Sequence, residues 1–278
     1  MLYLTYNVLL ALAAMVAVPL LVIRGLLRGE TWKGIAERFG ILPHSFHQTA
    51  ANSIWLHAVS VGEVLSCAQL VKALRRQFGE VPIFVSTSTP TGRRLADEKL
   101  SPSVNGIFYS PFDLPFALLR VFRTIRPRLV IVAETELWPN LFRLAKRSGA
   151  GLMMVNARIS DRSAPRYRRF RFFFSHVLRQ PDLVLAQSET DCERLTAAGA
   201  SPETVRRGGN LKYDFEPDAE EVPRAVADSL DRLEAGPIVV AGSTREGEEE
   251  PVIEAFRKLS ESQRQALLER VYPHPRRQ

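Results

Sequence analysis

His57-Ala58-Val59-Ser60-Val61-Gly62-Glu63 follows a short apolar run, Ile54-Trp55-Leu56, and precedes a helical pattern from Val64 to Phe78. A strand that runs into a glycine-containing turn and then a helix carries polar groups to the carboxyl edge of a sheet. That edge is where open α/β sheets bind ligands. Glu63 falls in the first turn of the helix, at its partly positive end. Two readings are open for it: a general base, or a surface carboxylate that complements the helix dipole.

Outward from this stretch, strands and helices alternate. Strands are expected at 54–57, 82–86, 107–109, 128–133, 151–155 and 183–186, and helices at 63–78, from the Thr87–Gly92 turn through Leu100, and at 114–125, 137–148, 165–179 and 189–198. The strands are short and continuously hydrophobic, as strands covered on both faces are. The βαβα order predicts a parallel sheet between two layers of helices. The pattern ends near Gly208-Gly209-Asn210-Leu211-Lys212-Tyr213-Asp214-Phe215. Residues 216–236 are charged, carry Pro217 and Pro223, and read as a linker containing a helix. A second βα start follows: a strand at 238–241, the turn Gly242-Ser243-Thr244 and an acidic helix at 246–259. A Rossmann-like domain needs several more such units to bury its sheet, so the expectation is a complete first domain and a second one only begun.

The N-terminus reads as a membrane helix. Leu2 to Ile23 holds no charged residue, and such a helix reaches about 33 Å, enough for a bilayer core. Basic residues Arg24, Arg28, Lys33 and Arg38 follow it, which places the body on the cytoplasmic side by the positive-inside rule. A buried helix is the competing reading. Residues 25–52 read as a basic, part-amphipathic segment at an anionic membrane surface, ending in a loop from Pro43 to Asn52. The 278 residues carry a net charge of +7, which favours acidic partners. Cys67 and Cys192 are too few and too far apart for a disulfide framework or a zinc site, and the five histidines lack ligand spacing.

Polar clusters follow nearly every expected strand: Ser60-Gly62-Glu63, Thr87 to Gly92, Pro111-Phe112-Asp113, Glu134-Thr135-Glu136, Asn156 to Ser160 and Gln187-Ser188-Glu189. Together they describe a cleft with hydroxyls, carboxylates and arginine, which suits a sugar. Thr91 and Ser188 also fit as helix caps. Glu134 ends an apolar strand, where a carboxylate is costly unless paired or functional; Arg158 is the candidate partner. The run Arg158, Arg162, Arg166, Arg168, Arg169, Arg171, interleaved with Phe170 and Phe172 to Phe174, fits an anionic lipid headgroup better than nucleic acid beside a membrane helix. A solvated helix face over core phenylalanines accounts for part of it. His57 reads as structural. Gly242-Ser243-Thr244 is a weak phosphate-turn signal with no P-loop lysine.

The motifs His57 to Glu63, Thr89-Pro90-Thr91-Gly92, Glu134-Thr135-Glu136-Leu137-Trp138-Pro139-Asn140, Asn156-Ala157-Arg158-Ile159-Ser160 and Gly209-Asn210-Leu211-Lys212-Tyr213-Asp214 stand in the order and spacing of a known family. Over residues 1–259 the chain resembles the 3-deoxy-D-manno-octulosonic acid (Kdo) transferases of lipopolysaccharide synthesis. The resemblance implies a GT-B glycosyltransferase of two Rossmann-like domains and an inverting transfer of Kdo from CMP-Kdo to a lipid A precursor, lipid IVA, at the inner membrane. It implies no catalytic metal, no cofactor and no nucleic acid. It assigns Glu63 as general base, and Glu134 and Lys212 to transition-state stabilisation. It places the acceptor against Ser60, Gly62, Thr89, Thr91, Gly92, Glu136, Arg158, Ser160 and Arg162. The donor then lies against Asn210, Gly242, Ser243, Thr244, His274 and Arg277. The implied division is an anchor at 1–24, a membrane-proximal segment at 25–52, an acceptor domain at 53–215, a linker at 216–236 and a partial donor domain at 237–278. The family continues past residue 278, and its arginine before the donor-side histidine is Pro273 here. An alternative is therefore a truncated, inactive membrane-bound remnant that binds acidic glycolipid. A different nucleotide-sugar enzyme of the same fold is the third reading.

Overall fold

The computed structural model describes residues 2–27, 32–49, 51–214, 238–242, 244–260 and 267–271. They fall into two compact units, Met1–Glu216 and Pro217–Gln278.

The first unit is built on a seven-stranded, wholly parallel sheet: β1 (Ser53–His57), β2 (Ile83–Thr87), β3 (Gly106–Tyr109), β4 (Pro127–Ala133), β5 (Gly151–Ala157), β6 (Leu183–Ala186) and β7 (Val205–Arg207). The spatial order is β3-β2-β1-β4-β5-β6-β7. Side chains on a strand alternate between faces, so Ile54 and Leu56 point to one helical layer and Trp55 to the other. On the Ile54 side lie α4 (Val61–Phe78) and α5 (Pro90–Leu100), through Val64, Cys67, Val71, Ala96 and Leu100. On the Trp55 side lie α6 (Pro115–Ile125), α7 (Pro139–Arg147), α9 (Arg171–Leu178) and α10 (Glu189–Ala198). Burial on both faces removes apolar area from water at about 25 cal/mol per Å², which is why these strands needed no polar alternation.

Three differences from the sequence expectations have local causes. The helix expected at 165–179 is two, α8 (Ala164–Arg169) and α9, because Phe170 leaves helical geometry at φ −102°, ψ 29°. The break lets Phe174 stack on Tyr167 at 4.4 Å between ring centroids. The strand β7 was not anticipated: Val205-Arg206-Arg207 is short and basic, and it pairs only with β6 at the edge of the sheet. Thr91 is exposed and is not the cap of α5; Thr89 is, accepting from the Gly92 N–H at 3.0 Å.

The N-terminal expectations change most. Helix α1 spans Leu2–Leu27, 26 residues, and Leu4, Val8, Leu9, Leu12, Met15, Leu20 and Ile23 are exposed on it. Its first turns are docked on the domain: Tyr6 Oη donates to Asp113 at 2.8 Å, Asn140 Nδ2 donates to Asn7 Oδ1 at 2.7 Å, and Arg143 sits 4.4 Å from the Tyr3 ring centroid. Among the described residues no helix is long and apolar enough to cross a membrane, so the expected span is not obtained there. The segment 25–52, expected to be membrane-proximal, packs on the sheet domain in its described part. In α2 (Trp32–Arg38), Glu37 is 1% exposed, pairs with Arg93 at 2.8 Å and accepts the Tyr109 N–H at 2.8 Å. In α3 (His44–His47), Phe46 is buried against Phe84. A buried carboxylate stays charged only with such partners.

In the second unit, β8 (Ile238–Gly242) and β9 (Leu267–Val271) pair in parallel, with α11 (Glu249–Ser260) between them in sequence. α11 starts at Glu249 rather than Glu246. The Arg245 N–H donates to Glu248 Oε2 at 3.0 Å.

Candidate functional site

The chain steps outward from β1 to β2 and β3, then returns to the middle and continues from β4 on the other side of β1. That reversal of strand order is the switch point at whose carboxyl edge open α/β sheets bind ligands. The turn after β1 carries Ser60, and the first turn of α4 carries Glu63; the loop after β4 carries Glu134, Thr135 and Glu136.

Glu63 is 6% exposed. Ser60 caps α4: the Glu63 N–H donates to Ser60 Oγ at 3.4 Å, and Ser60 Oγ donates to Glu63 Oε1 at 2.8 Å. The Val59 N–H donates to Glu63 Oε2 at 2.8 Å. This is the reciprocal capping arrangement of Ser-x-x-Glu at a helix start, so the carboxylate holds the loop. Burial pushes its pKa up; the bonds from Ser60 and Val59 pull it back, and the Glu134 charge raises it further. The pKa of Glu136 is likewise raised, first by burial and then by Glu63, while the nearby Trp138 indole, outside strict hydrogen-bond geometry, lowers it. Three carboxylates thus feel one another across the β1/β4 reversal.

Glu134, just after β4, and Asn156, at an irregularity near the end of β5, have φ of +56° and +58°. The left-handed conformation suits asparagine but strains glutamate, at a cost of about 1 kcal/mol. Glu134 is kept there by its N–H bond to Val155 O at 2.8 Å. Arg158 Nε lies 3.6 Å from Glu134 Oε2 with the guanidinium exposed, a loose pair of the kind worth under about 1 kcal/mol.

The loop carrying Arg158, Ser160 and Arg162 is fixed by Asp191 and Arg194, which the motifs did not single out, and by Thr135, which they did. Asp191 Oδ1 accepts the Ile159 N–H at 3.0 Å, Arg194 donates to Ile159 O at 2.8 Å and pairs with Asp161, and Thr135 Oγ1 accepts the Arg158 N–H at 2.9 Å. Ser160 bonds Ser163 at 2.9 Å, and Arg162 is exposed. Lys212 is exposed on a 3-10 turn, Leu211–Tyr213, that packs on α4. Asn210 Oδ1 accepts the Lys212 N–H at 3.0 Å, and Asn156 Oδ1 accepts the Leu211 N–H at 3.1 Å. Gly62 is exposed at the start of α4, and Gly242 and Thr244 belong to the second unit; Ser243, His274 and Arg277 lie outside the described residues. His57 is structural in its contacts: Nδ1 lies 2.9 Å from Ser86 Oγ and 3.1 Å from Ser110 Oγ, and burial lowers its pKa to about 4. The described residues hold no cluster of metal-ligating side chains.

Gly92 joins the second cluster to this edge. A Cβ there would come within 2.6 Å of Thr87 Oγ1 and 2.8 Å of Thr89 Oγ1. The first hydroxyl donates to Val59 O in the loop of Glu63 and the second caps α5. Gly92→Ala, normally stabilising in a helix, is expected here to cost about 1–3 kcal/mol by overpacking. Urea denaturation of the variant and the parent chain checks this.

The family model for 3-deoxy-D-manno-octulosonic-acid transferase (kdotransferase) matches residues 33–215. The chain belongs to the Kdo transferase family. A Kdo transferase of Haemophilus influenzae is 35% identical over 249 residues, 87% of this chain and 56% of the relative; that of Bordetella pertussis is 33% identical over 83% of this chain and 54% of the relative. This family member spans about half the length of those relatives. Among solved structures, the UDP-GlcNAc 2-epimerase of Neisseria meningitidis superposes with a TM-score of 0.52 at 11% identity, over 81% of this chain and 66% of that one. That likeness speaks to the fold alone, and the fold agrees with the expected GT-B type for the first domain.

Proposed function

We propose that this chain carries the acceptor half of an inverting Kdo transferase, which moves Kdo from CMP-Kdo to lipid IVA. The observation that carries the reading is the set of Glu63, Glu134 and Glu136 at the β1/β4 reversal, with Arg158 beside them. Glu63 is the general base: it removes the proton of the acceptor hydroxyl as the oxygen attacks the anomeric carbon, and the CMP oxygen leaves with the bonding pair. Lys212 and Glu134 balance the charges that develop on leaving phosphate and sugar. Ser60, Gly62, Thr89, Thr91, Gly92, Glu136, Arg158, Ser160 and Arg162 line the acceptor side. The donor assignment of Asn210 in the first unit, and of Gly242, Ser243, Thr244, His274 and Arg277 in the second, rests on the family resemblance alone. The exposed apolar row of α1 supports attachment to the inner membrane, with the sheet domain on the cytoplasmic side.

The test is CMP release from CMP-Kdo on addition of lipid IVA. Acceptor-dependent release is the expected result. Binding of lipid IVA without CMP release would favour the inactive remnant; the loose Glu134–Arg158 pair, which leaves the guanidinium exposed for a phosphate, is the observation on that side.

A further inference from the structure

A half-open cavity between α1 and α7 has none of Ser60, Glu63, Glu134, Glu136 or Arg158 in its lining. Its volume is about 240 Å³ and it is lined by Asn7, Pro115, Asn140, Arg143, Leu144 and Arg147. Arg143 and Arg147 stand one turn apart on α7 and therefore on one face, where like charges repel. Among the described residues neither has a carboxylate within ion-pair distance, whereas the adjacent Lys146 pairs with Asp182 at 2.5 Å. The carboxylate nearby, Asp113, already accepts from Asn140 N, Leu141 N and Tyr6 Oη. The Tyr3 ring holds the Arg143 guanidinium at 4.4 Å. Asn7 spends its amide oxygen on Asn140 Nδ2, so what it can still offer a ligand is its NH₂ donor.

Asn140 Nδ2 is spent on Asn7 Oδ1 and Asp113 O, so the cavity presents two guanidinium groups and the Asn7 amide donor with no acid, a set that matches the oxygens of a phosphate. Leu4 and Val8, which flank Asn7 along α1, are 70% and 51% exposed and begin the apolar row that continues through Leu9, Leu12 and Met15. A free phosphate has no use for that row, but an amphiphile uses both parts. We propose that the α1–α7 cavity binds the phosphate of an anionic phospholipid headgroup, with the acyl region against the apolar row of α1. The site is separate from the transfer reading and does not depend on it.

The test measures partition of the full chain onto phosphatidylcholine vesicles with and without phosphatidylglycerol. Arg143→Gln/Arg147→Gln is expected to lower partition onto the anionic vesicles about 10- to 30-fold, from about 1 kcal/mol per arginine at such a surface. Arg147→Gln alone, which leaves the Tyr3–Arg143 contact in place, gives about 5-fold. The charge-matched control Arg76→Gln/Arg94→Gln, on α4 and α5, changes it less than about twofold, because exposed charges away from the surface are screened. Arg143→Lys/Arg147→Lys keeps the charge but not the fork and is expected to bind more weakly than the parent. Parent-like binding by the lysine pair, or an equal loss in the control, would overturn the cavity in favour of diffuse charge. Inorganic phosphate at constant ionic strength is the second arm. If it displaced the chain from vesicles and raised the melting temperature only while both arginines were present, the occupant would be free phosphate and the lipid assignment would fail.

Discussion

Glu63→Gln is expected to lower Kdo transfer by about 10²- to 10⁴-fold, the usual worth of a positioned general base. The protein stays folded. A glutamine at this position still accepts the Val59 N–H through its oxygen, and its NH₂ can donate to Ser60 Oγ, so the loss at the helix cap is about 1 kcal/mol or less. The loss falls on kcat, while lipid IVA affinity changes by less than about threefold, because the proton moves only in the transition state. The pH dependence follows from the direction of the shift. Burial and the Glu134 charge raise the Glu63 pKa, and only the ionised form accepts a proton. The rate in the parent therefore climbs as pH rises through that raised value and levels above it, and the climb disappears in the variant. A folded Glu63→Gln protein with unchanged turnover would reduce Glu63 to a helix cap and move the base to Glu136 or Glu134.

The second large effect is on stability. Asp113 is 4% exposed and accepts three bonds: from Asn140 N at 3.0 Å, Leu141 N at 2.9 Å and Tyr6 Oη at 2.8 Å. It thereby caps α7, whose N-cap residue Trp138 has no side-chain cap bond, and fastens α1. Asp113→Ala strands these donors and is expected to cost about 3–5 kcal/mol, whereas Tyr6→Phe costs about 1 kcal/mol. Burial, the largest cause, raises the Asp113 pKa to about 6, against the lowering by its three donors. A carboxyl whose folded pKa is raised favours the fold while protonated; its contribution is full below the unfolded value near pH 4 and is lost as pH rises through about 6. Asp113→Asn mimics the protonated form without titrating. The stability of the parent relative to Asp113→Asn therefore falls between pH 4 and pH 7. Chemical denaturation of both proteins across that range reads it, and a parent that gained stability relative to the variant as pH rose would refute the assignment.

Much of the sheet domain was legible because a doubly covered parallel strand announces itself as a short apolar run, as Ile54 to Leu56 and Leu129 to Ala133 do. Edge strand β7 did not, since Arg206 and Arg207 lie at the solvent side, where hydrophobicity is not required. The docking of α2 was hidden for a related reason. Glu37 looked like one charge in a basic segment, and only its partners Arg93 and Tyr109, 56 and 72 residues away, make it a buried anchor. Asp191 and Arg194 were passed over in the same way, and Asp113 was read only as part of a polar turn: each is a common surface residue type whose role is set by distant backbone N–H and C=O groups. Ser60-Val61-Gly62-Glu63 could be read locally, because a capping box closes within four residues.

By itself, then, the sequence determined the alternation of strands and helices, the family, and the gathering of polar residues after the strands, all of which depend on local periodicity and short motifs. The tertiary structure decided which strand ends are neighbours. The order β3-β2-β1-β4 sets the loops of Glu63 and Glu134 side by side at the reversal, and it arises from backbone pairing between segments some 75 residues apart, such as Ile54 with Leu129. No local pattern encodes that pairing, so Glu63 could be placed on the ligand edge from the chain alone, but not beside Glu134 and Glu136.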